Sequence, residues 1–139
     1  MCGICGIFGS GIESSLSRTT RKMVDTLHHR GPDDFGVWTD KKIGVALGHR
    51  RLSILDLSPT GAQPMMSPCG RFIIVFNGEI YNHHTLRLEL EQKGVVSEWC
   101  GTSDTETLLM AVIHWGLTEA LGRIHGMFAL ALWDRQAQK

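Results

Sequence analysis

Apolar residues do not recur at one spacing along this chain; the period changes from segment to segment, and each change marks an element. Residues 4–8 read as a short strand ending at Gly9. Leu16, Met23, Val24 and Leu27 then recur at helical spacing. Gly31-Pro32 is expected to stop that helix, the glycine as its C-cap and the proline because it cannot continue a helix. Residues 36–40 (GVWTD) and 43–47 (IGVAL) read as two strands joined around Asp40-Lys41-Lys42. Residues 51–58 (RLSILDLS) alternate as a half-buried strand does, and 59–70 hold three of the four prolines and are expected to be irregular. Residues 72–76 (FIIVF) carry no polar break, which predicts a buried strand rather than an edge.

The second half is more helical. Leu86, Leu88 and Leu90 fit a period of two as well as a helix, but segment length, Asn82 as N-cap and Gly94 as stop favour the helix. Ser103 and Glu106 form a capping box ahead of Leu108, Leu109 and Val112. A short helical turn is expected near 118–124, and 126–134 (GMFALALWD) begin another buried strand. Several strands precede the first helix between strands, which predicts an α+β domain with antiparallel sheets and helices on their outer faces. The last strand has no later segment to pair with, so the single domain, residues 1–139, is expected to be incomplete at its C-terminus.

Composition narrows the function classes. Fourteen basic and fourteen acidic residues give zero net charge, and no basic stripe points to nucleic acid or to an anionic membrane. The longest apolar runs, such as 72–76, are far too short to cross a bilayer. No basic segment precedes an apolar stretch at the N-terminus, so a secretory signal is not expected. A cytoplasmic, reducing setting follows, in which the four cysteines are thiols.

Candidate chemistry begins at MCGICGIFG. Initiator methionine is commonly removed before a small residue, and removal would leave Cys2 with a free α-amine beside its own thiol. That amine, titrating near 7.7–8.0, could serve as the thiol's base. Three other readings compete. Cys2-x-x-Cys5 is half a zinc site, but Cys69 and Cys100 supply no second half. It also resembles a redox pair, but lacks the strand that should precede one. Either cysteine could be a small buried hydrophobe. No metal site is expected. His28-His29 and His83-His84 read as surface residues at helix ends. Asn77 and Gly78 can supply an oxyanion hole with a side-chain amide and a backbone N–H, although Asn-Gly after a strand is also the commonest hairpin turn. Arg51 could grip a carboxylate, and Glu79 and Asp104 an ammonium; singly, each also reads as a solvated surface charge.

Taken in order, CGICGIFG, HRGPDDFG, HRRLSILDLSPTGAQPM, FNGEIYNHHTLR, SDTETLL and GMFALALWD closely resemble the N-terminal glutaminase domain of glutamine-hydrolysing asparagine synthetases. That is a class II glutamine amidotransferase with an N-terminal-nucleophile hydrolase fold. The resemblance implies a four-layer αββα sandwich, here without its last strands. It implies L-glutamine as substrate and Cys2 as nucleophile, with its α-amine as base through a water. Asn77 and Gly78 would form the oxyanion hole, Arg51 with backbone near Leu52 and Ile54 would hold the α-carboxylate, and Glu79 and Asp104 the α-ammonium. No cofactor is implied for this chain. ATP and Mg are implied for a synthetase domain, in cis or trans, that would amidate aspartate or another carboxylate. A truncated fragment without catalysis is the alternative from another class.

Overall fold

The computed structural model describes residues 2–9, 15–53 and 58–139. The strands are β1 (Gly3–Phe8), β2 (Asp34–Asp40), β3 (Val45–Arg51), β4 (Met65–Met66), β5 (Phe72–Ile80) and β6 (Gly126–Asp134). The α-helices are α1 (Leu16–Thr26), α2 (His83–Gln92), α3 (Asp104–Trp115) and α4 (Leu117–Arg123). Among the described residues the strands form two antiparallel sheets, ordered β1-β3-β2 and β4-β5-β6.

Alternation along each strand explains the layering, because successive side chains point to opposite faces. On the inner faces Val45 and Leu47 of β3 meet Ile73 and Val75 of β5 and Trp133 of β6, all buried, with Ile4 packed against them. On the outer face of the second sheet Ile74, Phe76 and Ile80 pack against Leu86 and Leu90 of α2 and Leu108, Leu109 and Val112 of α3. Helix α1 covers the first sheet through Leu16, Thr20 and Val24. The order of layers is therefore helix, sheet, sheet, helices, the αββα arrangement.

Several expectations change in detail. Helix α1 ends at Thr26, and a 3₁₀ turn (His28–Arg30) intervenes before Gly31-Pro32. Gly31 therefore caps the 3₁₀ turn rather than α1, its N–H donating to the His28 carbonyl at 3.2 Å. It lets two backbones approach closely, since a Cβ there would lie 2.6 Å from the Arg50 carbonyl carbon. The half-buried strand expected over 51–58 is displaced: β3 ends at Arg51, and residues 54–57 lie outside the described residues. The proline-rich stretch is mostly irregular but contains the two-residue β4. Asn77-Gly78 is not a hairpin turn, because β5 runs through it to Ile80 and pairs with 126–129. The strand at 126–134 does find a partner, in β5.

Capping also differs from expectation. Ser103 accepts from the Thr105 N–H at 3.1 Å, but Glu106 turns away from the reciprocal bond and accepts from the Cys100 and Gly101 N–H groups. Asn82 occupies the N-cap position of α2 as expected, but its side chain bridges the Arg123 carbonyl and the His125 N–H rather than bonding the helix. His28, His29 and His84 are exposed, whereas His83 is buried, its ring 4.0 Å from that of His84.

Candidate functional site

The inner faces of the two sheets are apolar along most of their length and polar at one end. The parity that buries Ile4 also turns Cys2 inward; that of Val45 and Leu47 turns His49 and Arg51 inward, and that of Ile73 and Val75 does the same for Asn77. A pocket of about 330 Å³ opens there, in the range of small-molecule sites. Cys2, Arg51, Leu52, Asn77, Gly78, Glu79 and Asp104 all line it. Ile54 lies outside the described residues.

Cys2 is held at several points. Its sulfur lies 3.4 Å from the Leu52 N–H, which donates to it, and 3.7 Å from the Leu52 carbonyl. The Arg30 Nε donates to the Cys2 carbonyl at 3.2 Å. Leu52 thus contacts the thiol itself. Asp33 accepts from the Ser53 N–H at 2.7 Å and fixes the same backbone from its other side. The segment HRGPDD, whose local pattern reads as a helix stop, braces the cysteine in space. Cys5 has the opposite parity and packs near Val24 and Gly48, where burial pushes its thiol pKa up. Cys2, just ahead of β1, and Cys5 within it therefore face opposite sides of the sheet. All four cysteines are free thiols.

Arg51 is buried, and donates to the Ser58 carbonyl at 2.9 Å. Asp104, at the start of α3, is also buried; burial raises its pKa, opposed by the Ile80 N–H, which donates to it at 2.9 Å. Glu79 is exposed at the pocket edge. Two of the three charges that read singly as surface residues are thus interior.

Gly78 sits where no side chain fits: a Cβ there would collide with the Met127 carbonyl oxygen and with Phe128. The N–H groups of Phe76 and Ile80 both point away from β6, toward side-chain acceptors, so strand alternation sends the Gly78 N–H the same way, along the pocket wall. Asn77 Oδ1 is buried without a partner among the described residues, so no structural bond commits that end of its amide.

Sequence reasoning missed Gln63, Tyr81, Thr105 and Met127, which also line the pocket, and His49 beside it. Gln63 lies in the proline-rich stretch, where no periodicity signals which way a side chain points. His49 carried a signal in its parity with Leu47 and Arg51.

The fold defines a class. The structure matches a solved glutamine phosphoribosylpyrophosphate amidotransferase from B. subtilis with a TM-score of 0.65, covering 96% of this chain and 34% of that one at 20% identity. The architecture is the N-terminal-nucleophile hydrolase sandwich. The model of the glutamine amidotransferase domain family matches residues 1–139, and the chain belongs to that family. It is 39% identical, over 98% of its length, to asparagine synthetase [glutamine-hydrolyzing] 3 of Bacillus subtilis. It is 42% identical, over 95%, to a Mycobacterium tuberculosis protein provisionally named asparagine synthetase [glutamine-hydrolyzing]. The chain spans about a fifth of the length of these relatives, 22% and 20% respectively. No helix among the described residues is long and apolar enough to cross a membrane.

Proposed function

We propose that this chain hydrolyses L-glutamine to glutamate and ammonia, with Cys2 as nucleophile. The observation that carries the reading is convergence: a thiol, an Asn-Gly pair, a buried arginine and a buried aspartate, from different elements, line one pocket. Arg51 takes the α-carboxylate, Asp104 and Glu79 the α-ammonium, and the carboxamide then reaches toward Cys2. With Met1 removed, the α-amine of Cys2 accepts the thiol proton through a water, and the sulfur attacks the carboxamide carbon. The Asn77 amide and the Gly78 N–H stabilise the oxyanion as it forms. The C–N bond breaks, the proton leaves with ammonia, and a thioester remains on Cys2. Water attacks that thioester and releases glutamate. Apart from glutamine and water, these steps call only on groups of this chain.

The ammonia serves a synthetase domain, in cis or trans, that uses ATP and Mg to amidate aspartate. Another carboxylate acceptor is the second reading, because nothing in this pocket touches the acceptor. A cytoplasmic setting suits four free thiols. The test is a glutaminase assay on the intact protein, paired with intact mass spectrometry. Cys2→Ala and a form retaining Met1 are expected to be inactive, and Cys5→Ala to keep most activity. Equal glutamine hydrolysis by Met1-retaining and processed samples would overturn the mechanism.

A further inference from the structure

Strand β4 is only two residues long and pairs with Ile73 and Ile74. Past Ile74, the edge of β5 that faces away from β6 has no strand beside it among the described residues. Backbone groups left bare on such an edge need other partners. Side chains supply them at every fourth residue. The Phe72 N–H donates to Ser67 Oγ at 2.9 Å, the Phe76 N–H to Gln63 Oε1 at 2.6 Å, and the Ile80 N–H to Asp104 Oδ2 at 2.9 Å. Asn77, Gly78 and Glu79 are suspended between the last two anchors.

Phe76 is also gripped through its carbonyl, which accepts from His49 Nε2 at 3.2 Å, from the opposite sheet. Gln63 reaches further still, for its Nε2 donates to Thr105 Oγ1 at 3.2 Å, next to Asp104 on the first turn of α3. One side chain therefore ties the strand carrying the Asn-Gly donors to the helix carrying the ammonium-binding carboxylate. A longer β4 could satisfy the same N–H, but its backbone would occupy the wall that Gln63, Gly78 and Thr105 leave open to the pocket.

We propose that Gln63 and His49 are positioning residues that clamp the Phe76 backbone, one at its N–H and the other at its carbonyl, and so hold the Asn77–Gly78 donors in place for the transition state. The inference rests on the glutamine-hydrolysing reading of the pocket. Neither side chain need touch the reacting atoms; both act through Phe76. Donors misplaced by a fraction of an ångström still admit substrate but stabilise the oxyanion less.

The test uses the intact protein and three readouts: kcat and KM for glutamine, and the rate at which iodoacetamide alkylates Cys2, followed on the Cys2 peptide by mass spectrometry. Alkylation needs the thiol but no oxyanion hole. Gln63→Leu and His49→Leu, assayed separately so that misfolding of one leaves the other, are each expected to lower kcat about tenfold, less than removing an oxyanion donor outright. KM and alkylation rate should stay within about twofold of wild type. Gln63→Glu keeps an oxygen facing the Phe76 N–H and should recover most of kcat. In an Asn77→Ala background Gln63→Leu should cost less than it does alone, because the donor it serves is gone. Unchanged kcat, parallel loss of alkylation, or full additivity with Asn77→Ala overturns the clamp while leaving the glutaminase reading intact. Failure of the wild type to hydrolyse glutamine overturns that reading, and the clamp with it.

Discussion

Acidification should destabilise this domain through His49. The ring is fully buried, donates from Nε2 to the Phe76 carbonyl, and has no partner at Nδ1 among the described residues. Burial drives its pKa from 6.5 down to about 4; nearby Arg51 pushes the same way, while the Phe76 bond and Asp34 oppose. The folded state thus resists a proton that the unfolded chain accepts readily. Stability is full above pH 6.5 and is lost as pH falls from there toward 4. Each pKa unit is worth 1.36 kcal/mol, so the complete loss is about 3 kcal/mol, of which about 2 kcal/mol falls between pH 7 and pH 5. Asp104, raised by burial, works in the opposite direction, and His83, lowered by burial, in the same one. Comparing wild type with His49→Gln removes both contributions, since the glutamine amide can donate to Phe76 without titrating. Urea unfolding followed by tryptophan fluorescence at pH 7, 6 and 5 should show the stability gap between the two proteins shrink by about 2 kcal/mol on acidification. A gap constant across that range would refute a buried, neutral His49.

Other perturbations separate roles within the pocket. Arg51→Ala is expected mainly to raise the KM for glutamine, whereas Asn77→Ala should mainly lower kcat, by roughly 10²–10³; a change confined to KM in Asn77→Ala would remove the oxyanion role. Gly78→Ala must push β5 from β6 at Met127 and Phe128, at a cost of about 1–3 kcal/mol. A denaturation midpoint equal to wild type would contradict that contact.

The fold was legible wherever burial imposes a period. The run at 72–76 is a central strand because both faces are covered, by the first sheet on one side and α3 on the other. Leu86 and Leu90 lie on the buried side of α2 while Leu88 is exposed, which resolves the ambiguous spacing in favour of a helix. Element ends were less legible. Glu106 has the spacing of a capping box, yet three groups outside the cap compete for its carboxylate, among them Arg87 at 3.4 Å. In the site, residues that carry a charge or a thiol announced themselves. Gln63 did not, because its meaning lies in an unpaired strand edge 13 positions away.

Because Cys2 leads directly into β1 of one sheet and Asn77 lies in β5 of the other, the gap between the proposed nucleophile and the proposed oxyanion donor is set by what fills the space between the sheets. Val45, Leu47, Ile73, Val75 and Trp133 act as a spacer of fixed thickness. A methyl group added or deleted there alters the gauge of the reaction centre as well as the melting point, and a misplacement of about 1 Å can cost 10²-fold in rate. On the proposed mechanism, substitutions such as Val75→Ala or Leu47→Met tune catalysis from inside the protein, with every residue that lines the pocket unchanged.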